Sequence, residues 1–173
     1  VLISGGSSNN IIGGTAGDGN LINGPSALMI NGSQNNTIQG NIIGLDKNGD
    51  INAAFGTNTG ISMINSSNNL VGGNTPSARN LLARCSSRCI QIANGNQILV
   101  KGNYIGVNGA GDTASGAMGP GIDVSNSSEV TIGGDQAGEG NVVIAGSFGI
   151  SFNGIGSSEN SIKGNRVGTN AAG

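Results

Sequence analysis

Histidine and tryptophan are missing from this chain, aromatic residues make up 2% of it and charged residues only 9%. Each shortage narrows what the protein does. Without histidine there is no ordinary general base at neutral pH and no imidazole for a metal ion. Tyr104, the one tyrosine, is the only platform read here for sugar stacking. Seven basic residues stand singly among nine acids, for a net charge of -2, unlike the clustered Lys/Arg footprint of a nucleic-acid binder. No apolar run approaches the roughly 18 residues that cross a bilayer, and no basic start with an apolar core reads as a signal peptide. No membrane span and no nucleic-acid partner are expected. The two cysteines, Cys85 and Cys89, lie in R-C-S-S-R-C, which reads as a turn. A tight local disulfide or two inert thiols fit them; a metal site would need more ligands.

Glycine and asparagine are in excess, at 34 and 26 residues. Both are poor helix formers and good turn residues, so helix is excluded as a main element. With 35% hydrophobic content the chain still has enough apolar side chains to fold.

Those residues recur. S-S-N-N-I-I-G-G at Ser7 to Gly14 returns as S-S-N-N-L-V-G-G at Ser66 to Gly73 and as S-S-E-V-T-I-G-G at Ser127 to Gly134. Between the copies lie Ile38-Gln39-Gly40-Asn41, Val100-Lys101-Gly102-Asn103 and Ile162-Lys163-Gly164-Asn165. The anchors Ile12, Ile38, Val71, Val100, Ile132 and Ile162 are therefore 26 to 33 residues apart, a spacing that belongs to solenoids and arrays.

Each unit reads as three short strands. In the first, the residue two before the anchor is Asn10, Asn36, Asn69, Ile98, Val130 or Asn160 and faces the same way, so stacked asparagines are expected to form amide ladders. The second strand follows a Gly-Asn or Arg-Asn pair. It places Ile22, Ile43, Leu82, Ile105, Val143 and Val167 inside and Leu21, Ile42, Leu81, Tyr104, Val142 and Arg166 outside. The third alternates cleanly, as in Ile61-Ser62-Met63 and Ile122-Asp123-Val124, with its first and last residues inward. Three parallel strands per turn make an all-β, single-stranded parallel β-helix of six turns. Parallel crossovers favour the right-handed form.

Insertions alternate. Odd units lengthen the first link (Gly13 to Gly19, Gly72 to Arg79, Gly133 to Gly140), and even units insert later, over 45–59, 107–120 and from Thr169. The repeat is thus a pair of turns, three pairs in all, and Gly44, Gly106 and Gly168 are 62 residues apart. Residues 1–173 read as one β-helix, a segment of a longer repetitive chain or a unit that polymerises head to tail. Val1, Leu2, Ile3, Arg166 and Val167 are the candidate stacking ends, because solenoids need caps and none is visible.

The T/N-x-I-G-G … G-N-x-I … G-I-x-I pattern resembles right-handed parallel β-helix repeat proteins of the pectin-lyase-like architecture. It is similar in particular to tandem repeats of large secreted or surface proteins. That resemblance implies the fold, and it implies an extracellular or cell-surface place. It leaves activity open, since the architecture hosts polysaccharide lyases, hydrolases, adhesins and spacers.

Chemistry is sparse. A glycosidase needs two carboxyls about 5 to 10 Å apart, but Asp123 is the only acid in the outer row of the third strands. Asp46, Asn48 and Asp50 form a candidate Ca²⁺ loop that lacks the full ligand spacing; an Asn-Gly turn with solvated acids is the plainer reading. Asn31, Asn35, Asn65 and Asn126 head Asn-x-Ser/Thr triplets, acceptor sequences that chance supplies in such a composition. The apolar outer row Leu21, Ile42, Leu81, Tyr104 and Val142 is the interface candidate, expected to be buried by the inserts or by a neighbour. The expectation is a non-catalytic structural rod with no cofactor, stacking on identical copies or further repeats. The alternative is a polysaccharide-binding or polysaccharide-degrading module.

Overall fold

The computed structural model describes residues 1–116 and 119–173. Strand β1 (Leu2–Ser4) is a third strand that precedes turn 1. Turn 1 holds β2 (Ile11–Gly13), β3 (Leu21–Ile22) and β4 (Ser26–Asn31), and turn 2 holds β5 (Thr37–Gln39), β6 (Ile42–Ile43) and β7 (Thr57–Ile64). Turn 3 holds β8 (Leu70–Gly72), β9 (Leu81–Leu82) and β10 (Cys85–Ala93), and turn 4 holds β11 (Leu99–Lys101), β12 (Tyr104–Ile105) and β13 (Ile122–Ser125). Turn 5 follows with β14 (Thr131–Gly133), β15 (Val142–Val143) and β16 (Ile150–Asn153), and turn 6 with β17 (Ser161–Lys163) and β18 (Arg166–Val167). The one helical piece among the described residues is a single 3-10 turn, Pro76–Ala78.

Every strand pairs in parallel with its equivalent one turn away, giving three six-stranded sheets: β1-β4-β7-β10-β13-β16, β2-β5-β8-β11-β14-β17 and β3-β6-β9-β12-β15-β18. The molecule is a parallel β-solenoid of about six turns. Ile12, Ile38, Val71, Val100 and Ile132 fill the first-strand row, with Ile43, Leu82, Ile105 and Val143 in the second. The third supplies pairs such as Ile61 with Met63 and Ile90 with Ile92, all at 0% exposure. Each such side chain contributes roughly 1.5–3 kcal/mol by leaving water.

Of the third strands, β4 starts two residues ahead of Leu28-Met29-Ile30, and two others are extended further. β7 takes in Thr57 to Thr59, the end of the first insert, and β10 begins at Cys85. Cys85 and Cys89 therefore lie in a strand rather than a turn. The register shifts between Cys85 and Arg88, a bulge that brings the two cysteines' Cα atoms to 5.2 Å, and a disulfide joins them inside the core.

The interior also holds a polar column that the repeat pattern did not announce. The asparagine at the entry of each second strand turns inward, and Asn20, Asn41, Asn80, Asn103, Asn141 and Asn165 form one continuous ladder. Each Nδ2 donates to the next Oδ1 at 2.8–3.0 Å. That same Oδ1 accepts the preceding asparagine's backbone N–H, as from Asn41 to Asn80 and from Asn103 to Asn141. A further Nδ2 bond crosses to the first-strand carbonyl of the lower-numbered turn, from Asn80 to Ile38 and from Asn141 to Val100. Among the described residues no buried side-chain N or O lacks a partner, which is what a dry interior requires. The column explains a glycine of the G-G motif. Gly72 has φ +86°, and a Cβ there would overlap the Lys101 carbonyl and press on the Asn103 amide.

The expected first-strand ladder is shorter. Asn10 donates to Asn36 at 2.8 Å and Asn36 to Asn69 at 3.0 Å; Ile98 and Val130 then fill the row, both fully buried.

Candidate functional site

With the interior saturated, chemistry is confined to the outer faces. Over the second-strand sheet, the odd-turn links and the even-turn inserts stand as two walls, and the outer row is the floor between them. Arg79 sits midway, with depressions of about 550 Å³ and 350 Å³ on either side of it. Its guanidinium carbon lies 3.8 Å from the centroid of the Tyr104 ring, a cation–π contact, and its Nε donates to the Gly102 carbonyl at 3.1 Å.

The five interface candidates differ in burial. Val142 is 2% exposed, while Ile42, Leu81 and Tyr104 are half-buried. Leu21, expected to be buried, is 48% exposed. The chain's own inserts make the difference: a Cβ built on Gly49 or on Gly109 would lie 3.1 or 3.3 Å from the Leu81 Cδ1, and one on Gly111 would meet the Tyr104 ring. Leu21, in turn 1, has an insert-bearing turn on one side only.

The second region lies over the third-strand sheet. Arg88 Nε donates to Asp123 Oδ2 at 2.7 Å, while Ser151 Oγ and Asn153 Nδ2 donate to its Oδ1 at 2.7 and 3.0 Å. Burial pushes the Asp123 carboxyl up, but these hydrogen bonds and the charge of Arg88 outweigh it and hold the group below the usual carboxylate range. A depression of about 650 Å³ opens beside the pair, lined also by Phe148, Ile150 and Phe152. Phe148 is 67% exposed. It belongs to no repeat position, so periodicity did not single it out, and Tyr104 is not the sole aromatic presented at the surface.

Five of the eight other acids, Asp46, Asp112, Glu129, Asp135 and Glu139, are similarly engaged. Asp46 Oδ1 accepts the N–H groups of Asn48 and Asp50, each at 2.9 Å, and Asn48 accepts Lys47 Nζ at 3.1 Å. In the candidate cation loop, one Asp46 oxygen and the Asn48 oxygen thus already face the loop's own donors. Glu139 is held down by its hydrogen bond to Lys101, and Glu129 by those from Gln97 and Asn96. Asp135 pairs with Lys163 at 3.0 Å. Among the described residues no three His, Cys, Asp or Glu side chains converge as a metal group would need.

The stacking candidates lie at the two edges: Val1, Leu2 and Val167 are 57%, 65% and 46% exposed, Ile3 packs against the core and Arg166 is exposed. Asn31, Asn35, Asn65 and Asn126 are all exposed. Of the second insert, 107–120, residues 117 and 118 lie outside the described residues. Among the described residues no helix is long and apolar enough to cross a membrane. No family model, curated protein or solved structure matches the chain.

Proposed function

We propose that this chain is a non-catalytic structural element: a rod segment of a right-handed, pectin-lyase-like β-helix, extracellular or on a cell surface, in a filament or adhesin-like fibre. Its partners are further turns of the same kind, from the same polypeptide or from another copy. The observation that carries the reading is the unbroken asparagine ladder, in which each turn is bonded to the next by the same groups. Such a column gains stability with every added turn. Six of the nine acids, drawn into turns and ion pairs, add support.

Electron microscopy of the 173-residue chain at high concentration tests it. Filaments with an axial repeat of about 29 Å, six turns of about 4.8 Å, are expected; particles that stay single at every concentration would count against assembly through the edges.

A second reading rests on Phe148 beside the Arg88–Asp123 pair, an aromatic face next to oriented polar groups, which suits a polysaccharide. Asp123 is the one carboxylate lining that depression, whereas hydrolysis uses two, so the reading is for binding rather than cleavage. Titration with neutral and acidic polysaccharides, followed by NMR of the Phe148 ring, checks it; unchanged ring signals would exclude it.

A further inference from the structure

The insert loops of the even turns meet each other across the odd turn between them. Gly109 donates its N–H to the Gly49 carbonyl at 2.7 Å, and 62 residues further on Ala171 donates to the Gly111 carbonyl at 2.8 Å. All three tips have one shape. Gly49, Gly111 and Gly173 have φ of +79°, +77° and +108°, and each donates to the residue three before it, Asp46, Asn108 or Asn170, at 3.0, 3.0 and 3.2 Å. Contact is already tight at this two-turn spacing, since a Cβ on Gly49 would lie 3.1 Å from the Gly109 Cα. Two turns span about 9.6 Å, so loops one turn apart, at about 4.8 Å, would occupy the same space.

We infer that the inserts impose a parity rule on stacking: a long turn is followed only by a short one, within the chain and wherever one copy of it stacks on another. The surface concerned is the outer face of turn 1, and its occupant is turn 6 of a second copy. Turn 1 is short, running from Ile22 to Ser26 through Asn23-Gly24-Pro25, and turn 6 begins its insert at Thr169. Leu21 marks the open half of the column: it is 48% exposed, against 2% for Val142, its counterpart between two insert-bearing turns. A turn-6 insert laid on turn 1 covers Leu21 as Gly49 and Gly109 cover Leu81. The repeat then pairs the Gly173 carbonyl of one copy with the Lys47 N–H of the next, because Lys47 stands where Gly109 and Ala171 stand.

This rule rests on the proposal that copies stack, and the test separates the two. Three forms are compared by electron microscopy and mass photometry: the unaltered chain; a chain with residues 46–56 of turn 2 replaced by Asn-Gly; and a transposed chain, in which that loop is moved into turn 1 between Ile22 and Ser26. In the transposed chain long turns are never neighbours internally, but turn 1 would face turn 6 of the next copy. The first two forms are expected to make filaments, and the third to remain single with unchanged β circular dichroism. Transposed chains that polymerise at the same concentration overturn the rule. Should the unaltered chain fail to stack, assembly of copies through the edges fails, and the rule is read inside one molecule instead. Placing the loop in turn 5, in place of residues 145–148 beside long turn 4, is then expected to lower Tm by about 10 °C relative to a Gly-Ser loop of equal length. Equal Tm values overturn it.

Discussion

Two asparagine rows run along the inside of this rod, and only one is continuous. The row from Asn20 to Asn165 keeps its amide in all six turns, whereas the row from Asn10 is interrupted after Asn69 by Ile98 and Val130 and resumes only at Asn160. The difference lies in what each amide has to satisfy. At the entry of the second strand, one side chain serves the amides on either side, the preceding asparagine's backbone N–H and a carbonyl of the lower turn, so an apolar substitute would strand several buried groups. Ahead of the first strand each amide makes fewer bonds: Asn36 Nδ2 donates to Asn69 alone, and Asn69 Nδ2 to the Ser33 carbonyl alone. With less to satisfy, isoleucine and valine can take the row.

The contrast breaks most sharply at Asn80. Asn80→Ala takes from the Asn41 backbone N–H its acceptor, from the Asn41 Nδ2 one of three acceptors and from the Ile38 carbonyl the Asn80 donor, and is expected to cost about 4 kcal/mol. Asn10→Ile, at the start of the other row, leaves the Asn36 Oδ1 still accepting the Asn10 backbone N–H and is expected to cost about 1 kcal/mol. Urea unfolding of the two variants measures the gap, and equal losses would refute the explanation by the number of bonds each amide makes. Gly72→Ala forces a side chain into the space of the Asn103 rung at positive φ, for about 3 kcal/mol; a neutral outcome would mean that the ladder tolerates local shifts.

Outside the core the polar contacts weigh less. Asp123 has its carboxyl lowered in the folded state, so its contribution is present above the unfolded value of about 3.9 and is lost as pH falls through the folded one. Asp123→Asn is therefore expected to flatten the fall in urea midpoint below about pH 4. An acid limb of unchanged slope would assign that loss to other carboxylates. The smallest effect belongs to Leu21→Ala, below about 1 kcal/mol in the isolated chain, against about 2 kcal/mol for Val142→Ala at its covered counterpart.

The strand rows were legible because alternation such as Ile61-Ser62-Met63 carries its own phase, and the two-turn period because Gly44, Gly106 and Gly168 mark it. The main ladder was not. In a chain with 26 asparagines, Gly-Asn before two apolar residues reads as a turn, and nothing local separates a turn amide from a buried rung. Thr57-Asn58-Thr59 and Cys85-Ser86-Ser87 likewise read as loop by their polarity, yet the neighbouring strands offer them ladder partners and draw them into β7 and β10. Burial of the outer row could be posed as a question from the sequence; its answer depended on where loops two turns apart come together. Phe148 had no counterpart elsewhere in the repeat to draw notice to it.

The long ladder has one more consequence, which is electrical. Every Oδ1 in the column faces the lower-numbered turn and every bond to it runs the same way, so the amide dipoles add as peptide dipoles do along a helix. Each amide polarises the next. The rod consequently has a sense, like a bar magnet rather than a beam: two copies laid head to tail prolong the field, and two laid head to head oppose it.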